Sequence, residues 1–247
     1  IILFAIIPVS IVIGSSVSLI NILLIDISFL LVLYSNKEFH FLKNKTIKYL
    51  LILYFYLMIN SFISIDHEIG FARNFGFLRF IILFIAFNYF FKQDLFFKKI
   101  FIIWSIAISV IIIDIFFESF MGQNIFGYGE LYGRRIVSFF KDEAIVGGFV
   151  NSFYLLIVGF LFNQYPNKNK GPIVLFAILF LIAIFLTGER SNSIKAFLGL
   201  STFFFVLKTY DFQKKIIFFI SMIVLFFLLI INSHFLKVRF INQISFH

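Results

Sequence analysis

The chain has 247 residues, is 62% hydrophobic and 13% charged, and has a mean hydropathy of +1.05. A soluble domain is nearer half apolar and a quarter charged, and no single soluble core could hide this much apolar side chain, so the composition excludes an ordinary soluble enzyme and predicts a polytopic membrane protein. The absence of cysteine excludes disulfides, thiolate nucleophiles and Cys metal sites, and the net charge of +9 is read as topogenic, with no nucleic-acid partner expected.

A membrane-crossing helix takes about 17–25 apolar residues. Nine candidate spans follow in chain order: 1–14, 18–35, 49–64, 75–91, 100–117, 144–163, 172–187, 194–207 and 215–232. The expected fold is all-α, a transmembrane bundle of about nine helices forming a single membrane domain over 1–247. The turn "GSSVSLIN" separates the first two spans, and Pro166 and Pro172 bracket a later loop. The chain opens in an apolar run with no cleavable leader and closes in the polar stretch "NSHFLKVRFINQISFH". It therefore reads as a fragment, with 233–247 as the start of a truncated outward loop.

Alternate loops carry Lys37, Lys43, Lys45 and Lys48; Lys92, Lys98 and Lys99; Lys168 and Lys170; and Lys208, Lys214 and Lys215, against Glu38, Asp94 and Asp211. The other loops are nearly balanced in charge. The positive-inside rule places the lysine face, and with it the N-terminus, in the cytoplasm. All six arginines fall on the opposite face: Arg73, Arg79, Arg134, Arg135, Arg190 and Arg239. Lysine suffices to meet water and anionic lipid. Arginine suits a site that must grip phosphate or carboxylate through two oxygens. The pattern points to an outward-facing site for an anionic, lipid-linked substrate.

Within the spans, Asp26 lies near the middle of its helix and Asp114 near an outer end. Either suits the proton relay of a transporter, which keeps open the alternative of a small-solute or ion transporter. Arg79 lies toward the outward end of its span, where a guanidinium needs a partner or a path to water. The four histidines show no i, i+3 or i, i+4 pairing, so a His metal cluster is not expected.

The longest outward segment is 118–143, rich in Gly and aromatic residues. Tyr128, Tyr132, Phe126, Phe139 and Phe140 serve either as interfacial anchors or as faces for sugar rings. In "RRIVSFFKDEAIVGG", Arg134 and Arg135 precede Asp142 and Glu143. The two acids open the next apolar run, where a helix N-terminus favours negative charge. Alternatively they position an arginine or take a proton from an acceptor hydroxyl. Gly147 and Gly148 allow close helix approach.

The second outward segment is the turn in "FLTGERSNSIKAF". Ser191, Asn192 and Ser193 already supply the polarity a turn needs, and Ser191 or Ser193 can cap the following helix. Glu189 and Arg190 exceed that need. Adjacent residues do not face each other on a helix, so Glu189 is expected to pair with another arginine and to leave Arg190 to a substrate. Asp142, Glu143 and Glu189 are the candidate catalytic acids, and Arg79, Arg134, Arg135 and Arg190 the candidate diphosphate ligands.

The stretches "GYGELYGRRIVSFFKDEAIVGGFV" and "LTGERSNSIKAFL", with a looser match in "IIPVSIVIGSSVSLINILLI", resemble the O-antigen ligase and polymerase family of bacterial envelope glycosyltransferases. The resemblance implies a C-type glycosyltransferase-like membrane protein of the bacterial inner membrane. Such a protein takes a glycan from an undecaprenyl-diphosphate carrier on the periplasmic face and passes it to another lipid-linked repeat or to lipid A-core. It implies no metal, nucleotide or other cofactor. Arginines on that face would hold the diphosphate, which maps onto Arg134 or Arg135 and Arg190. The family's large periplasmic loop with its functional His would follow the last span. Here His234 and Arg239 stand at its start, and no catalytic His is carried over.

Overall fold

The computed structural model describes residues 1–37, 44–129, 135–141, 143–165, 170–208 and 210–242. Expectations placed on Glu38, Lys43, Tyr132, Arg134, Asp142, Pro166 and Lys168 lie outside the described residues. Among those described, every regular element is helical and there is no strand. Among the described residues six helical segments are long and apolar enough to cross a membrane, one of them, His67–Phe90, made of two successive helices. The chain divides into two compact units, Ile1–Trp104 and Ser105–His247.

In the N-terminal unit the first apolar run is broken into α1 (Ile2–Ala5) and α2 (Ile7–Ile13). Pro8 sits in the first turn of α2, where its missing N–H costs nothing. Gly14 alone, with φ 151°, separates α2 from α3 (Ser15–Asn36). α4 (Lys45–Ile63) is capped by Asn44, whose side chain accepts from the Thr46 amide at 3.0 Å.

A difference from the expected spans follows. His67–Gly76, read as outward loop, forms its own helix, α5. It folds back on α4 at Ser61: Asn74 Nδ2 donates to Ser61 Oγ at 2.7 Å and to the Leu57 carbonyl at 2.9 Å. α5 then runs almost directly into α6 (Leu78–Phe90) through Phe77.

Phenylalanine fills this unit's core. Phe4 meets Phe87, Phe90 and Phe96 edge-on, with the Phe4–Phe87 centroids 4.9 Å apart, an arrangement the ring quadrupoles favour. The Trp104 indole N–H donates to the Phe4 carbonyl at 3.0 Å.

α7 (Asp94–Met121) has 28 residues, a length of about 42 Å at 1.5 Å per residue, against a hydrocarbon core of about 30 Å. Its last turns thus exceed what a bilayer needs. α8 (Val146–Gln164), α9 (Gly171–Leu186) and α10 (Arg190–Val206) pack on one another and form the core of the C-terminal unit. Tyr154 is its fully buried anchor: its hydroxyl donates to the Ala177 carbonyl at 3.0 Å and its ring stacks on Phe180. α11 (Phe212–Asn232) follows, then a short α12 (His234–Lys237) and a π-turn, Val238–Asn242.

At one end of this unit, lysines close helices. Lys170 Nζ donates to the Phe162 carbonyl at 3.2 Å, and Lys215 Nζ to the Phe205 carbonyl at 2.8 Å. Cations there meet the negative ends of α8 and α10. The loops after α7, α9 and α11 converge at the other end.

Candidate functional site

The long loop after α7 is held by that helix. Asp114 and Glu118, one turn apart, are 0% and 4% exposed. The Ile125 amide donates to Asp114 Oδ1 at 3.0 Å, and the Ser138 hydroxyl to Oδ2 at 2.5 Å. The Val137 and Ser138 amides donate to Glu118 Oε1 and Oε2 at 3.0 and 2.7 Å. Asn124 folds the near part of the loop. Its Oδ1 accepts from the Phe126 and Tyr128 amides, and its Nδ2 donates to the Ser138 carbonyl. A carboxylate taken from water needs such donors to survive burial. Here they come from the Ser138 hydroxyl and from backbone amides, of which those of Val137 and Ser138 would otherwise be buried without acceptors.

The far end of the loop enters α8, and here Glu189 acts. The Gly147 amide donates to Glu189 Oε1 at 2.7 Å, and the Gly148 amide to Oε2 at 3.1 Å. Asn192 Nδ2 also donates to Oε2, at 2.5 Å. Among the described residues, Glu189 is held by backbone amides and Asn192, where an arginine was expected. Among the described residues, the carboxylate at the start of α8 comes from the α9–α10 turn, and the first turn of α8 itself contains no acid. Glu143 falls two residues before the Ile145 N-cap and is exposed. The 3₁₀ turn Ser138–Phe140 and the left-handed Lys141, at φ 55°, delay the helix past it.

Gly147 is required for this approach: a Cβ there would lie 2.5 Å from Thr187 Oγ1 and 2.9 Å from Glu189 Oε1. Gly188 turns the chain at φ 72°, a conformation that side-chain-bearing residues rarely adopt, and a Cβ there would meet the Phe235 ring at 2.7 Å.

Arginines gather around this turn. Arg190 is the first residue of α10, with Glu189 as its N-cap. Arg239, in the π-turn after α12, donates from Nε to the Gly188 carbonyl at 3.4 Å. Burial first, then the positive charges of Arg135 and Arg190, hold the Arg239 guanidinium below its ordinary range. Arg135 and Arg190 thus both act on Arg239. Arg135 Nε is buried with no hydrogen-bond partner. Arg135 also lines a cavity of ≈ 660 Å³, together with Glu118, Gly129, Leu186, His234 and Phe235. That volume lies within the range of small-molecule sites.

Of the sequence-proposed residues, Arg135, Arg190 and Glu189 share this end of the C-terminal unit. Arg134 and Asp142 are outside the described residues. Arg79 belongs to the N-terminal unit, where it lies over the Phe80 ring at 4.8 Å and its charge acts on Asp26. Sequence reasoning did not put Arg239, His234 or Glu118 in the site. The signal for Arg239 was its membership of the all-arginine face. Among the described residues, no three His, Asp or Glu side chains gather as metal ligands would. No protein-family model, curated protein or solved structure matches the chain.

Proposed function

We propose that the chain transfers a glycan from an undecaprenyl-diphosphate carrier at the outward face of the bacterial inner membrane, as O-antigen polymerases and ligases do. The observation that carries this reading is the gathering of Arg135, Arg190 and Arg239 at one end of the C-terminal unit, with Arg135 lining a cavity. Like charges held together cost free energy that a bound diphosphate would offset. The planar guanidinium fork matches phosphate oxygens in pairs.

In the reaction, the oxygen of an acceptor hydroxyl attacks the anomeric carbon. The bond from that carbon to the diphosphate oxygen breaks, and its electron pair leaves with the diphosphate. The hydroxyl proton passes to a carboxylate. The arginines stabilise the leaving charge as it develops, where preorganised donors contribute most. Glu143, exposed beside the entry to α8, is the proposed acceptor of that proton. Glu189 acts by holding the turn that presents Arg190.

The test is genetic and biochemical. Deleting the parent gene is expected to change the surface polysaccharide ladder. A polymerase defect leaves single repeats on core, and a ligase defect leaves none. Arg190→Lys in the full-length protein is expected to reproduce that defect while membrane insertion is retained. A normal ladder in the Arg190→Lys strain overturns the reading.

One observation favours a second reading, a small-solute or ion transporter. Asp26 is buried in α3 with both carboxylate oxygens lacking a hydrogen-bond partner, as a carboxylate awaiting a cargo or proton would be. Liposomes containing the full chain distinguish the two: flux abolished by Asp26→Asn but retained in Arg190→Lys favours transport.

A further inference from the structure

The three arginines are connected through one carboxylate. Arg190 follows Glu189 directly. Arg239 donates to the carbonyl of Gly188, the residue before it. Arg135 stands on a loop pinned by Glu118 at Val137 and Ser138 and by Glu189 at Gly147 and Gly148. The seat is tight, because Gly147 has no room for a Cβ between Thr187 and Glu189.

We propose that Glu189 is a positioning residue: by fastening the first turn of α8 to the first turn of α10 it sets the spacing of Arg135, Arg190 and Arg239, and so their ability to hold one diphosphate together. The ligand part of the proposal rests on the functional reading above; the brace itself does not. An acid placed against the guanidiniums would cancel their charge. Glu189 gives its oxygens to the Gly147 and Gly148 amides and to Asn192, and so orders the turn that carries Arg190.

The chain has no native cysteine, so spin labels at Ser152→Cys on α8 and Lys195→Cys on α10 report the separation of the two helices without background. Inorganic pyrophosphate is the binding probe, on the full chain in detergent. Glu189→Gln sets an amide nitrogen against the Gly147 or Gly148 amide, donor against donor, because the backbone donors cannot turn away. It is expected to broaden the label distance and to weaken pyrophosphate binding by about tenfold or more, the scale of hydrogen bonds lost from a charged acceptor.

Adding Asn192→Asp returns a carboxylate to the pair and supplies an acceptor for the new amide, and is expected to recover part of both readouts, which a loss of general stability would not explain. If Glu189→Gln fails to assemble, Glu189→Asp keeps the charge with a shorter reach and is expected to broaden the distance in the same direction. An unchanged distance overturns the proposal whatever the binding does. A wild-type chain that binds no pyrophosphate, yet whose labels respond, upholds the brace and overturns the diphosphate reading alone.

Discussion

Asp26 and Asp114 are both aspartates in long apolar helices, and both are buried, at 4% and 0% exposure. Their surroundings differ. Asp114 accepts from the Ile125 amide and the Ser138 hydroxyl, and Glu118 one turn on accepts two further amides. Asp26 accepts no hydrogen bond, and Arg79 acts on it through its charge. In the N-terminal unit Asn21 Oδ1 and Arg79 Nε are also buried without partners. The difference lies in the chain that follows. After α7, a loop returns over the helix end and brings backbone donors to the acids. Whether a buried carboxylate is a brace or an unsatisfied charge is therefore decided by what folds back onto it.

The comparison can be broken in four places. If the braced end performs the chemistry, Arg190→Lys should lower glycan transfer by about 10²–10³-fold, the usual cost of one well-placed donor to a developing charge; membrane extracts assayed with a lipid-linked donor would measure it. Glu118→Ala leaves the buried Val137 and Ser138 amides without acceptors and should cost roughly 2–6 kcal/mol, at 1–3 per orphaned group, read as a drop in thermal unfolding in detergent. Gly147→Ala must displace Thr187 or Glu189 and should cost about 1–3 kcal/mol; Thr187→Ala in the same chain should recover part of it. The smallest effects make the sharpest contrast. Asp114→Asn gives up one charge-assisted acceptor and should cost about 1–2 kcal/mol, whereas Asp26→Asn gives up no hydrogen bond and should cost about 1 kcal/mol at most. Equal costs at the two positions would erase the distinction between the units.

The helices were legible because apolar runs of spanning length leave few options in a bilayer: the nine expected runs fall on helical segments, of which six, rather than nine, are long and apolar enough to cross a membrane. Their ends were less so. The break at Gly14 is one residue, and α5 is a short helix of mixed polarity whose sequence resembles a loop. The site was partly legible. Arg135 and Arg190 stood out as arginines in polar turns between apolar runs. Arg239 did not, because its role comes from Gly188, 51 residues away. Glu189 was legible as an anomaly, an acid the turn did not need, but two of its partners are backbone amides, which every residue except proline carries and no residue name reveals.

Composition and periodicity by themselves determined that this chain is helical and suited to lipid, since burying that much apolar side chain requires a solvent other than water. They also determined which segments carry arginine. Only the tertiary structure decided which charges meet. Hydrogen bonds act over about 3 Å, and Glu118, Glu189 and Arg239 reach their backbone partners at 137–138, 147–148 and 188 only when the loops after α7, α9 and α11 close over the same end of one helical unit.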